Sequence, residues 1–269
     1  MMRVAYLDCF AGISGDMFLG ALVDLGVELP ELKQELLKLG VENFDMIARK
    51  VTRKGISGVK VDVKVTGDQP HRHLDDIVNL LSNSELEDTI KQDAQEIFGM
   101  LATAEGKIHG CPPEKVHFHE VGAVDAIVDI VGTLVGLKKL GIEAVYCSPL
   151  NVGRGTVKCA HGIMPVPAPA TAELLVNVPL YTAGPAIELV TPTGAVLAKY
   201  LAKEFGLLPA MTLKAVGYGA GDRETDIPNL LRIMLGERDH HIFTFSHWQQ
   251  PHEHSHNHGH GQSHSHSHQ

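Results

Sequence analysis

Eight histidines stand within the last eighteen residues: His252, His254, His256, His258, His260, His264, His266 and His268. Neutral imidazole is a common ligand for borderline divalent ions, and the affinity order places nickel and copper ahead of iron and manganese, with zinc close behind. The interleaved serines, glycines and Asn257 cannot bury a core, so residues 240–269 are expected to form a disordered, metal-binding tail. Such a tail loads ions without imposing one geometry. It signals metal capture and says nothing yet about a reaction.

A second group lies in residues 117–129, His-Phe-His-Glu-Val-Gly-Ala-Val-Asp-Ala-Ile-Val-Asp. On a strand, His117 and His119 share one face at i and i+2, a two-imidazole metal edge, while Glu120 points away. On the helix that comes next, Asp125 and Asp129 are one turn apart, and the stripe continues through Gly132 and Gly136. Carboxylates on an otherwise apolar helix need partners, because isolated buried charge is costly. Either a reaction site or a structural His–Asp network with close helix packing satisfies that pattern. His71 and His73 precede a helix start at Asp75 and Asp76 and are further metal candidates.

Three turns suit an anion. Residues 7–17, Leu-Asp-Cys-Phe-Ala-Gly-Ile-Ser-Gly-Asp-Met, read as strand, small-residue turn and helix start. Gly12, Ser14 and Gly15 can point backbone N–H groups into a concavity at a helix N-terminus. No Gly-Lys-Ser/Thr or G-x-G-x-x-G pattern is present. Asp8 ends the strand as a metal or site candidate, whereas Asp16 fits a helix-dipole partner. Arg154, between two glycines, can clamp a phosphate or carboxylate, and Thr191, Thr193 and Gly194 offer donors before another helix. The turn at residues 217–223 is donor-rich, with no role assigned.

These groups must be positioned by an ordered region, residues 1–239, large enough for one domain or two small ones. The formal charge of −9 at pH 7 argues against a nucleic-acid partner. Cys9, Cys111, Cys147 and Cys159 form no C-x-x-C pair and read as buried apolar residues or isolated thiols of a reducing compartment. The N-terminus opens directly into a strand, and no apolar run nears the roughly 20 residues of a membrane span, so a cytoplasmic protein with no membrane partner is expected. Strands are expected over residues 3–9, 44–52, 59–65, 116–120, 144–147, 213–218 and 229–235. Helices are expected over 15–25, 31–39, 74–81, 85–108, 123–140, 171–176 and 194–205, with a Pro- and Gly-rich stretch over 148–169. The alternation predicts an α/β or α+β fold, a mixed sheet with flanking helices.

Residues 8–17, 117–129, 161–169 and 191–195 together resemble the LarC family, in the same order and across nearly the whole ordered region. The resemblance implies nickel insertion into pyridinium-3,5-bisthiocarboxylic acid mononucleotide, yielding the nickel-pincer cofactor of lactate racemase. In that product nickel is bound by two sulfurs and ring carbon C4. It also implies coupling to CTP with Mg or Mn, a C-terminal portion as partner, lactate racemase as recipient and an oligomeric full-length form. The chain looks like the N-terminal portion of that pattern. With this chemistry in view, His117, His119 and Glu120 are candidate bases, and Asp125 a metal ligand or imidazole orienter. Two other readings stay open: a non-catalytic nickel storage or delivery protein, and a metal-dependent phosphohydrolase using Asp8, His117, His119 and Asp125.

Overall fold

The computed structural model describes residues 1–41, 43–67, 72–116, 118, 123–159 and 162–238. The chain begins with strand β1 (Met2–Asp8) and helices α1 (Gly15–Asp24) and α2 (Leu29–Leu37). Hairpin β2 (Phe44–Arg53) and β3 (Ile56–Val65) comes next, then α3 (Leu74–Asn83), α4 (Asp88–His109) and α5 (Val124–Lys139). After β4 (Ala144–Cys147) come short strands β5 (Leu150–Asn151), β6 (Thr156–Cys159) and β7 (Gly162–Pro165). Then come α6 (Pro169–Leu174), β8 (Leu180–Tyr181), α7 (Pro192–Leu201), β9 (Ala202–Phe205), β10 (Thr212–Ala220) and β11 (Leu230–Arg238).

Seven strands form one mixed sheet in the order β2-β3-β10-β11-β1-β4-β9. β1 is parallel to β4 and antiparallel to β11, and β9 is parallel to β4. Alternate residues face opposite sides of a sheet. Ala5, Leu7, Val145, Cys147, Leu231 and Ile233 accordingly face the helices in the main core. Val4, Tyr6, Tyr146 and Met234 form a small cluster on the back. Among the described residues no helical side chain joins that back cluster; the Tyr6 hydroxyl donates to the Gly206 carbonyl at 3.0 Å, in the segment between β9 and β10.

Helix α1 lies directly on β3 and β10 because glycines meet it there. A Cβ at Gly219 would sit 1.7 Å from the Met17 carbonyl oxygen, and one at Gly20 would sit 2.3 Å from that of Val59. Gly219→Ala is therefore expected to destabilise the fold by about 3 kcal/mol, since neither backbone can retreat without lifting α1 off the sheet. Thermal or urea unfolding of the variant checks it; a loss within experimental error would mean that α1 shifts freely.

The expected fold class is the observed one, with local corrections. The helix expected over 194–205 stops at Leu201, and Ala202–Phe205 instead pairs with the open edge of β4, where its backbone groups find partners. The 148–169 stretch contains three short strands. The hairpin turn is tighter than expected: Lys54 and Gly55 both have positive φ (47° and 82°), so Arg53 pairs with Ile56. The strand expected over 116–120 falls largely outside the described residues, apart from Phe118, which bridges Arg72. No helix among the described residues is long and apolar enough to cross a membrane.

Candidate functional site

Three helix N-termini meet at one cavity of about 360 Å³ beside the C-terminal end of β1. Ser14, Gly15 and Asp16 come from the start of α1, Asp125 and Ala126 from α5, and Thr191, Pro192 and Thr193 from α7. The local sequence explains the convergence. The turn between β1 and α1 is clamped to the α7 entry, with Ile13 N–H donating to Leu189 O at 3.0 Å and Thr191 N–H to Ile13 O at 3.2 Å. Gly12 and Gly194 permit this approach: Cβ atoms there would lie 1.9 Å from Leu189 O and 2.1 Å from Ile13 O. Thr191 is the N-cap of α7, accepting the Gly194 N–H at 3.1 Å, with Pro192 in the first turn.

Strand β3 supplies the floor. Lys60 is only 2% exposed, and its ammonium pairs with Asp16, with Asp222 at 3.0 Å and with Asp62 at 3.7 Å. Burial alone would lower the Lys60 pKa, but Asp16 and Asp222 outweigh it and hold the pKa above its ordinary value. Ser14 Oγ donates to Asp16, tying the α1 entry to the same ion group.

Asp129, one turn into α5 from Asp125, is the unusual member. Its Oδ1 is shielded from solvent and meets no hydrogen-bond partner among the described residues. Gly15 makes room for it, since a Cβ there would stand 2.3 Å from Oδ2. Burial first, then the charges of Asp16 and Asp125, push its pKa well above the carboxylate range, with Lys60 pulling the other way. The cavity thus sets one ammonium against Asp16, Asp62, Asp125, Asp129, Glu188 and Asp222. Its wall at α1 and α5 carries acid in each first turn, whereas the first turn of α7 carries none. One side suits positive charge and the other an anion.

Of the residues singled out from sequence, Ser14, Gly15, Asp16, Asp125, Asp129, Thr191 and Thr193 line this cavity. Gly12 and Gly194 serve the close contacts behind it. Arg154 is exposed and lies outside this lining, with Nε donating to Gly184 O at 3.3 Å. Asp8 accepts both Nε (3.0 Å) and a terminal nitrogen of Arg232. His73 caps α3, its N–H donating to Asp76 at 2.8 Å and its Nδ1 lying 3.0 Å from Val116 O. His71, His117, His119, Glu120 and the eight tail histidines lie outside the described residues. Among the described residues, no three His, Cys, Asp or Glu side chains form a ready-made metal cage. Gly132 and Gly136 of the acidic stripe accommodate Leu19 and Leu22 of α1, so that part of the pattern is helix packing. Cys9 and Cys147 are buried with sulfurs 3.8 Å apart, and burial raises the Cys9 thiol pKa, which removes it as a ready nucleophile.

Sequence reading missed Lys60, Asp62, Glu188 and Asp222 and underrated Asp16. In β3 the run Val59-Lys60-Val61-Asp62-Val63 imitates an ordinary half-exposed strand. Its one available signal was that Asp16, in an otherwise apolar helix start, needed a cation.

The sequence model of a family described as "Nickel insertion protein" matches residues 5–262. A pyridinium-3,5-bisthiocarboxylic acid mononucleotide nickel insertion protein of Desulfitobacterium hafniense is 50% identical over 236 residues, covering 88% of this chain and 59% of the relative. Proteins of the same description from Geobacillus kaustophilus and Thermotoga petrophila are 47% and 52% identical over 247 and 245 residues, again covering 88% of this chain, and 60% and 61% of those relatives. The chain therefore spans about three fifths of the length of the curated relatives it matches. No solved structure gives a significant match. A match over residues 5–262, joined to half-identity with these relatives, establishes that the chain belongs to the nickel insertion protein family.

Proposed function

We propose that the cavity between α1, α5 and α7 is where nickel enters pyridinium-3,5-bisthiocarboxylic acid mononucleotide, the compound named for the relatives. The observation that carries the reading is the unpartnered, shielded Asp129 Oδ1 in a cavity with an acidic wall and an acid-free helix N-terminus. The substrate joins a pyridinium ring bearing two thiocarboxylates to a phosphate; the phosphate matches the acid-free wall and the incoming nickel dication the acidic one. Thr191 and Thr193 at α7 take the phosphate role, and the carboxylates of the α1 and α5 wall receive the cation. The soft sulfurs of the substrate are good nickel ligands, so the protein needs no complete metal cage.

Insertion replaces C4–H by C4–Ni and releases one proton. Asp129 is the acceptor placed first, because its oxygen is dry and uncommitted. A neutral carboxyl becomes a base when a dication approaches, since a positive charge favours the ionised form. His117, His119 and Glu120 are the second set of bases in the proposal, and Asp125 the carboxylate at the mouth. The tail histidines act as a reservoir. CTP with Mg or Mn, a partner supplying the relatives' remaining length, lactate racemase as recipient, oligomer formation and a cytoplasmic setting belong to the same proposal.

Incubating the chain with the mononucleotide and nickel, with and without CTP and Mg or Mn, and with and without a polypeptide supplying the relatives' remaining length, tests it by mass spectrometry of the product. Nickel gained with loss of one proton supports insertion. Nickel bound by protein alone, with the mononucleotide unchanged in every arm, supports storage and sinks the proposal. Phosphate release from simple phosphomonoesters with Mn or Mg would favour the hydrolase instead.

A further inference from the structure

The apolar surface at the back of the sheet points to an occupant within the same chain. Leu207 is 93% exposed, Leu208 47% and Leu213 51%, all in or next to the segment that crosses from β9 to β10. Beside them is a cleft of about 390 Å³ lined by Tyr146, Glu204, Gly206, Leu207, Pro209 and Arg238. Arg238 is the last residue of β11, its guanidinium donating to the Tyr146 hydroxyl at 2.7 Å and lying 5.4 Å from that ring's centre. The chain thus leaves the sheet at the cleft itself. The stretch just after Arg238 differs in composition from the polar tail beyond it: Ile242, Phe243, Phe245 and Trp248 fall within seven residues.

We propose that the Ile242–Trp248 segment packs against Leu207, Leu208, Pro209 and Leu213 at this cleft. Reach is sufficient, because Ile242 and Trp248 come four and ten residues after Arg238, at most about 14 and 35 Å of extended chain. Tethering raises the effective concentration of the segment to the millimolar range, so modest apolar contact holds it. The occupant is chosen over a second copy because it is already delivered to the cleft, and its large apolar side chains match the exposed leucines. Anchored there, the histidines from His252 onward start from the end of the sheet that carries Met2 and Arg238, whereas the cavity between α1, α5 and α7 lies beyond the Asp8 end of β1. This packing is independent of the proposed chemistry.

Trp248 is the chain's only tryptophan and reports directly. In the whole protein its emission should be blue-shifted and weakly quenched by acrylamide. Leu207→Asp with Leu208→Asp should shift the emission to the red and raise the quenching constant several-fold, with far-ultraviolet circular dichroism unchanged. Phe245→Ser, which alters no residue of the sheet, should do the same from the other side of the contact. Solvent-exposed emission in the unaltered protein would overturn the proposal. So would shielding that survives both variants, or shielding lost on dilution together with a dimer in sedimentation, which would assign the surface to a second copy.

Discussion

Asp129→Asn should lower the single-turnover rate of nickel insertion by about 10²- to 10⁴-fold, the range for removing a positioned base. Asparagine keeps the shape beside Gly15 and cannot accept the proton. The same change should not unfold the protein. Burial raises the Asp129 pKa above its ordinary 3.8, so the folded state holds this proton more tightly than the unfolded state. The stability contributed is full below pH 3.8 and is lost as pH rises through the folded value. The variant should therefore match the parent in acid and equal or exceed it in stability at neutral pH. Urea midpoints across pH, beside insertion rates, check both halves. A variant that inserts nickel normally would remove Asp129 from the chemistry, and one that unfolds at neutral pH would show its carboxylate to be structural.

Lys60→Met should have the larger effect on the fold. Methionine fills much of the same space, yet it leaves Asp16 without its cation in a site that is only partly open to water. Removing one partner of a buried pair costs about 3–5 kcal/mol, and the exposure of Asp16 (24%) and Asp222 (75%) places this case near 3 kcal/mol. The loss should shrink at low pH, where the carboxylates are protonated. Double substitution with Asp16→Asn should recover much of the stability at neutral pH, because the uncompensated charge goes with it. Thermal unfolding of the two variants decides this; equal losses in the single and double variants would mean that the Lys60 pairings contribute little.

Much of the fold was legible in the sequence for a physical reason. Periodicity records which faces are buried, and the long apolar faces of α1, α4 and α5 and the ends of β4 come from it closely. The glycine-rich turn at 12–15 and the Thr191 cap were readable because each needs a particular residue type at a particular place. Lys60 was not. Its burial is created by α1 descending on Gly219 and by Gly20 meeting Val59, contacts between residues far apart in the chain. Asp222 reaches the same cavity from the β10–β11 connection, whose sequence shows only a flexible turn. The acidic stripe on α5 was readable as a pattern but not in its division of labour: Asp129 faces the cavity, whereas Gly132 and Gly136 admit leucines. Likewise Ala202–Phe205 continues a good helical pattern and becomes a strand only because β4 offers an open edge.

If nickel meets its substrate in the cavity, and not on the histidine tail, the two places should separate in a binding experiment. Calorimetric titration of the mononucleotide with nickel tests this most directly. Three proteins enter the titration: the parent, a variant with the eight tail histidines replaced by asparagine, and Asp125→Arg, which reverses charge at the exposed mouth of the cavity. The tail variant is predicted to retain stoichiometric mononucleotide binding while taking up fewer free nickel ions, and Asp125→Arg to lose the mononucleotide. Binding that disappears with the tail histidines and is untouched by Asp125→Arg would contradict the cavity as the place of insertion.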